Sequence, residues 1–396
     1  MEFPTKEVLV SKSHLGVLRG LHYTPYRKQI YIVSGQIYDF WYVPKTGECF
    51  EGVLSAGDSM VIPHNAMHGF YALSEVEMLY FLEDNYNPEF DKTYHWQSPG
   101  TPFVYNFPQS NIIISKADDQ APFYQQADYL LLGATGYLGS YTEKVLVDQG
   151  KKYIATAERL ENLASIEKLI VKGGVKYVLC AAGISGRPTT QWCEDHEKET
   201  YQVNYLQMLN LMELTDRLKV HLTIYGTGLL YNLTGSGKTV FDESDKPNLD
   251  NSVYVRLRVE LESRLRLYPN VLCLRILYPT TADNHPKCFL TKMAGRTSSV
   301  HNVDVAVTVV PDLFPQIPAL VEAGVTGPLN FVNSGVISLP DFLKTFRIEH
   351  TVTNPEPRKG VELSTEHLSK VSHRETPVVQ SALCKLAARY NAAQSA

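Results

Sequence analysis

The chain has 396 residues, 44% of them hydrophobic and 20% charged, which is longer than one core usually serves, so two domains are expected. A net charge of −5 leaves no basic footprint for nucleic acid or an anionic membrane, and no apolar run approaches the roughly 18 residues of a membrane-spanning helix. The N-terminal MEFPTKEVLVSKS has no apolar leader, and Cys49, Cys180, Cys193, Cys273, Cys288 and Cys384 are scattered without a C-x-x-C pair; both features read as cytoplasmic, with no zinc site or disulfide framework.

Residues 8 to about 115 read as strands throughout. VLV, GVLRGLHY, QIYIVSG, QIYDFWYV, FEGVL, SMVIP, GFYAL and EMLYFLE are short β-branched or aromatic runs separated by SG, KTGE and SAGD. That spacing predicts an all-β sandwich or barrel. GVLRGLHY is the odd one, because it sets Arg19 and His22 among apolar residues. The two have opposite parity, so a regular strand cannot aim both inward. Gly20 between them is the expected site of a bulge or bend. His64 and His68 are four apart, but no H-x-H with a following glutamate accompanies them, so no metal site is expected.

KADDQAPFYQQA, residues 116–127, is polar and fits a junction. From residue 128 short apolar strands alternate with longer helical patterns: DYLLL, YTEKVLVDQG, KYVLCAAG, YQVNYLQMLNLMELTDRL, HLTIYGTG, VYVRLRVELESRLRLY and VLCLRILYP. Such alternation predicts an α/β fold with a parallel sheet. Gly133, Gly136 and Gly139 follow the first of these strands and open a helix. In that position glycine lets backbone amides approach a pyrophosphate, with the helix N-terminus aimed at the phosphates. Beyond Leu339 the tail looks mostly helical and carries no usable motif.

The first half resembles the dTDP-4-keto-6-deoxyglucose 3,5-epimerases, cupin-like β-barrels, through GVLRGLHY, RKQIYIVSGQIYD, LSAGDSMVIPHNAMHGF and EMLYFLEDNYNPE in order. The resemblance implies roles for particular residues. His22 is the base that removes protons beside a ketone, with Asp118, or alternatively Asp119, orienting it. Tyr80 is the acid, Lys28 and Arg19 are cations for enolate or phosphate, and His68 is a further site histidine. Histidine suits the base role because its pKa lies near neutrality. It also implies a dimer through the barrel. The family begins some tens of residues earlier with a strand carrying R-G-x-F, so nucleotide grip and dimer exchange are expected to differ here.

The second half resembles the extended short-chain dehydrogenase/reductases. CAAG, Cys180–Gly183, is similar to the family's N-A-A-G, YGTGLLY carries the Ser/Thr position at Thr227, and SVYVRLR is similar to the Y-x-x-x-K segment. AAGISGRPTTQWCEDHEKET with YGTG, ESDKPN and SVY resembles, more narrowly, the reductase of plant-type bifunctional UDP-4-keto-6-deoxyglucose 3,5-epimerase/4-reductases. What this implies is Tyr254 as donor of a proton to the carbonyl oxygen, Thr227 hydrogen-bonding the same oxygen, and Arg187 and Asn204 toward substrate. Gly133, Gly136, Tyr137, Leu138, Gly139, Ala181, Ala182 and Gly183 would hold the cofactor, together with Tyr254 and Arg258. Arg159, in ERLEN, tilts the expectation toward NADPH over NADH, although Glu158 beside it also suits a ribose hydroxyl. The chain departs from the family at Arg258, where lysine is expected, and the two cations are not interchangeable.

The expectation is therefore a cupin-like jelly-roll barrel over 1–122, a linker over 123–127, and a Rossmann-like doubly wound parallel sheet over 128–396. The barrel would epimerise a UDP- or dTDP-linked 4-keto-6-deoxyglucose at C3 and C5, and the second domain would reduce C4 to give nucleotide-L-rhamnose. A separate 4,6-dehydratase would supply the substrate. Two other readings fit: one active domain with another 6-deoxyhexose as product, or a sugar-nucleotide- or NADP-binding regulatory protein whose reductase is inactive.

Overall fold

The computed structural model describes residues 3–87, 89–99, 101–109, 111–186, 191–295 and 299–394. These form two compact units. One comprises residues 1–128 with 152–154 and 168–175, and the other comprises the remainder.

The first unit is built on eight strands: β1 (Glu7–Ser13), β2 (Val17–Thr24), β3 (Lys28–Ser34), β4 (Gln36–Tyr42), β5 (Cys49–Ser55), β6 (Ser59–Ile62), β7 (Ala66–Ala72) and β8 (Val76–Leu82). Two short strands, β9 (Lys92–Thr93) and β10 (Ile113–Ile114), and helix α1 (Lys116–Gln120) follow. One sheet runs β1-β8-β3-β6, the other β10-β2-β7-β4-β5 with β9 on β2. β3 alternates as a half-buried strand should: Lys28, Ile30 and Ile32 are buried, whereas Tyr31 and Val33 are exposed. β7 is buried along its whole length because both faces are covered. Its Ala66, Phe70 and Ala72 join Ile30, Ile37 and Met78 in one core. Its Met67 and Tyr71 pack on the other face with Tyr38, Phe40, Trp96 and Phe107. Among the described residues from 83 to 112 only β9 is strand; the rest supply an aromatic cover, with Tyr71 and Phe107 stacked at 4.6 Å.

The second unit carries a parallel sheet. Its strands are β11 (Tyr129–Leu132), β12 (Tyr153–Thr156), β13 (Tyr177–Cys180), β14 (His221–Thr227), β16 (Val271–Ile276) and β18 (Gly327–Asn330). Their order is β12-β11-β13-β14-β16-β18. Strand order reverses between β11 and β13, and the crevice outside the strand ends at such a switch point is where ligands bind open α/β sheets. Helices α2 (Tyr137–Asp148), α3 (Leu163–Gly173), α4 (Gln191–Asp195), α5 (Glu197–Tyr201), α6 (Gln207–Arg217) and α7 (Val253–Ser263) connect the strands, with a π-helical stretch over Gln202–Leu206. β15 (Val240–Phe241) pairs with Glu362–Leu363. The tail is helical over Leu339–Thr345, Glu366–Ser372 and Val379–Gln394. It also holds a strand, Thr351–Arg358, that pairs with β17 (Ser299–Val305) and that its mostly exposed side chains did not announce.

Candidate functional sites

In the barrel, β2 answers the parity problem. Arg19 pairs with Phe70 of β7 and His22 with His68, so β2 carries one extra residue between them. Gly20 sits there at φ +108°, where a Cβ would come within 2.6 Å of the His68 carbonyl oxygen. The shift turns Arg19 and His22 to the same face. Arg19, His22, Lys28, His68 and Tyr80 line one cavity of about 280 Å³, with Tyr26 and Asp91 on its wall.

His22 Nε2 lies 2.8 Å from Asp118 Oδ1. A carboxylate only accepts, so the imidazole donates here and its other ring nitrogen is left to take a proton. Asp118 rather than Asp119 makes this bond, because α1 begins with Ser115 Oγ accepting the Asp118 N–H at 3.0 Å, which turns Asp118 inward. Burial works to raise the Asp118 carboxyl. The hydrogen bond and charge of His22, with Ser115 and the Gly20 amide, outweigh it and hold the pKa below the usual carboxylate value. Lys28 is buried, and desolvation brings its ammonium down to about 8 against the opposing pull of Asp39 and Asp91. Burial, reinforced by Asp39, pushes the Tyr80 phenol well above its ordinary value despite Arg19 nearby, so it stays protonated.

Three polar members were not singled out from the sequence. His68 Nε2 donates to Asp39 Oδ1 at 2.7 Å, both fully within the core. Burial, together with Lys28, lowers the His68 pKa against the pull of Asp39, which favours a neutral ring. Tyr26 donates to Asp91 Oδ2 at 2.9 Å. Asp39 was detectable by the same reasoning as Arg19, as a charge inside the apolar run QIYDFWYV. Asp91 lies in irregular backbone where no periodicity marks it.

In the second unit the glycine-rich turn joins β11 to α2. Gly133 has φ +76°, and a Cβ there would stand 2.7 Å from the Ala182 amide nitrogen. The turn therefore lies directly against Ala181, Ala182 and Gly183 at the end of β13. No side chain caps α2 at Gly136, which leaves its first N–H groups for an anion. Tyr137 is buried, with its hydroxyl 2.9 Å from Thr281 Oγ1 and its ring stacked on His285 at 4.5 Å. Its side chain is spent on these contacts, which leaves its backbone N–H for a ligand; Leu138 packs partly into the neighbouring core. Past β12, Glu158 turns its carboxylate onto the Arg159 amide at 3.0 Å, and Arg159 is exposed.

Thr227 ends β14, Tyr254 lies in the first turn of α7 and Arg258 one turn on. Arg258 is 7% exposed, its guanidinium 5.4 Å from the Tyr254 ring centroid. Nη2 lies 3.5 Å from Asn204 Oδ1, while Nε and Nη1 are buried without a partner among the described residues. Orphan donors on a buried cation fit a bound polar group. Asn204 is fully buried, and its amide takes the Ile184 N–H at 2.9 Å and returns a bond to the Ile184 carbonyl at 2.6 Å, which clamps the loop after β13. Arg187 lies outside the described residues. Among the described residues no group of three or more histidine, cysteine or acidic side chains is placed to hold a metal, and no helix is long and apolar enough to cross a membrane. The six cysteines are unpaired.

A β-barrel with a paired histidine in its cavity, followed by a dinucleotide-binding α/β domain, defines a two-domain epimerase/reductase. Residues 1–126 match the dTDP-4-dehydrorhamnose 3,5-epimerase family and residues 129–268 the NAD dependent epimerase/dehydratase family. The chain belongs to the family of bifunctional dTDP-4-dehydrorhamnose 3,5-epimerase/dTDP-4-dehydrorhamnose reductases. The Arabidopsis thaliana protein of that description is 32% identical over 237 residues, covering 58% of this chain and 78% of its own. An Arabidopsis thaliana trifunctional UDP-glucose 4,6-dehydratase/UDP-4-keto-6-deoxy-D-glucose 3,5-epimerase/UDP-4-keto-L-rhamnose-reductase is 30% identical over 266 residues, which are 66% of this chain but 39% of that protein. The L780 UDP-rhamnose synthase of Acanthamoeba polyphaga mimivirus shares the fold at TM-score 0.60 and 22% identity, over 67% of this chain and 99% of its own.

Proposed function

We propose that the chain converts a UDP- or dTDP-linked 4-keto-6-deoxy-D-glucose to the L-rhamnose nucleotide in two steps, with residues 1–122 as the epimerase, 123–127 as linker and 128–396 as the reductase. The His22–Asp118 pair, set in a cavity with Arg19, Lys28, His68 and Tyr80, carries this reading. Protons on C3 and C5 are acidic because C4 is a ketone. His22 removes such a proton, and Asp118 steadies the imidazolium that forms. Lys28 and Arg19 face the negative charge that develops on the keto oxygen. Tyr80, kept protonated by burial, returns a proton on the opposite face.

In the second domain the Gly133–Gly139 turn, Ala181–Gly183 and the orphan donors of Arg258 would hold NADPH or NADH, with exposed Arg159 favouring the 2′-phosphate. The bound cofactor supplies hydride for C4. Tyr254 gives the C4 oxygen its proton, Thr227 hydrogen-bonds the same oxygen, and Arg258 stands where the related reductases keep a lysine. The keto sugar comes from a separate 4,6-dehydratase, and the protein acts in the cytoplasm as a homodimer joined through the barrel.

The test is one incubation of the protein with UDP-4-keto-6-deoxyglucose and NADPH in D₂O, followed by proton NMR of the nucleotide sugar. Rhamnose without proton signals at C3 and C5 is the expected product. Deuterium exchange with an unreduced ketone would leave the epimerase alone, as the substitution at Arg258 permits. An untouched substrate, with the dTDP sugar equally untouched, would overturn both steps.

A further inference from the structure

We infer that Glu194 is a positioning residue of the reductase, fixing from a remote segment the helix turn that carries Tyr254; this rests on the reading of Tyr254 as proton donor. Helix α7 begins at Val253, and the Val253 N–H donates to Glu194 Oε1 at 2.8 Å. Ser252, the residue before, accepts the Val255 N–H at 3.2 Å. The two bonds differ in what they accomplish. The serine cap is local: it ends the helix wherever the helix happens to lie. The glutamate reaches back 59 positions along the chain, so it ties the start of α7 to another part of the domain.

The anchor itself is well held. Glu194 lies on α4, where Cys193 is wholly buried and Trp192 stacks on His196 at 4.1 Å with 8° between the rings. The chain then runs through α5 into the π-helical stretch that presents Asn204, with its oxygen beside Arg258 Nη2. The same run of chain therefore meets α7 firmly at Val253, and more loosely at Arg256, whose Nη2 lies 3.8 Å from Glu197 Oε1, and at Arg258, 3.5 Å from Asn204. Tyr254 lies between them. Arg258 does not anchor the turn, because two of its three nitrogens have no partner among the described residues. The direction of the Tyr254 hydroxyl therefore depends on the Glu194–Val253 bond, and small errors in such placement are costly to a proton transfer.

The experiment compares Glu194→Ala, Glu194→Gln and Val253→Pro in the full chain. Glutamine keeps an oxygen acceptor. Proline is well tolerated at the first helical position but has no N–H, so it deletes the same bond from the other side. Glu194→Ala should lower kcat for keto reduction by on the order of tenfold to a hundredfold, with KM for NADPH changed by less than about twofold on the uniform-binding criterion. Glu194→Gln should recover most of the rate. The double variant Glu194→Ala/Val253→Pro should be no worse than either single one, because the two remove one interaction. Deuterium exchange at C3 and C5 should be unaffected and serves as an internal control. Unchanged kcat in Glu194→Ala, a loss confined to NADPH affinity, no recovery with glutamine, or additive losses in the double variant would each overturn the inference. Tyr254→Phe, run alongside, separates the two claims. If it still reduces the ketone, the reading of Tyr254 fails. If it is dead while Glu194→Ala is unimpaired, only the role of Glu194 fails.

Discussion

The two halves treat the basic side chains of their sites in opposite ways. In the barrel, His22 donates to Asp118 and His68 to Asp39, and Lys28 sits within the field of Asp39 and Asp91. In the α/β domain, Arg258 is buried yet keeps two nitrogens without a partner among the described residues. Arg275 of the same domain shows that this is not a shortage of acceptors. It is 1% exposed and fully engaged, with Glu262 on Nη2 at 2.5 Å and on Nε at 3.1 Å, and Asn330 on Nη1 at 3.2 Å. The contrast teaches what each site needs. A site that moves protons within its own side chains is best wired internally, so that base and acid hold their states before substrate arrives. A site completed by a cofactor keeps donors free for it, at a cost in buried polar groups.

The sharpest way to break this comparison is to remove one member from each half. His22→Ala should lower deuterium exchange at C3 and C5 by on the order of a thousandfold, the usual scale for a general base, and leave NADPH binding, read by fluorescence titration, unchanged. Residual exchange near the original rate would mean that the barrel holds another base. A smaller effect comes from Lys28. Its ammonium is the charged form below about pH 8 and is lost above it, so exchange should decline as pH rises through that point. Lys28→Met should reduce the rate by roughly tenfold to a hundredfold and abolish that alkaline decline; a decline that persists in the variant would assign it to another group. The smallest effect lies outside the charged groups. Ser252→Ala deletes a local cap and should cost about 1 kcal/mol, measured by urea denaturation of the α/β domain's transition. A loss of several kcal/mol would mean that the cap, and not Glu194, is what places α7.

Much of this was legible before any coordinates. Strand after strand in the first 82 residues falls where turn residues bound an apolar run, because local chemistry decides where chain can pair and where it must turn. Gly133, Gly136 and Gly139 marked their turn for the same reason, since Gly133 must come close to Ala182 and the other two close to the Gly133 carbonyl. Asp118 was reached through resemblance and order along the chain. The clamp that Asn204 makes on Ile184 was not legible, because residue type and place in a helix do not show which backbone a side chain meets. The aromatic stretch from residue 94 to 107 was misjudged as strand because hydrophobic content alone does not separate a ladder from a cover.

By itself, then, the sequence determined the order of elements, the change from an all-β to an alternating α/β half, and which residue types stand at the bulge, the glycine turn and the start of α7. These depend on short-range backbone preferences and on periodicity, which neighbours along the chain suffice to set. Only the tertiary structure decided which carboxylate serves which basic side chain: Asp118 for His22, Asp39 for His68, and, among the described residues, none for Arg258. That pairing joins residues 96 positions apart in one case and 29 in another. It follows from strand register, the extra residue in β2 and burial, which arise only when distant segments close around a common core.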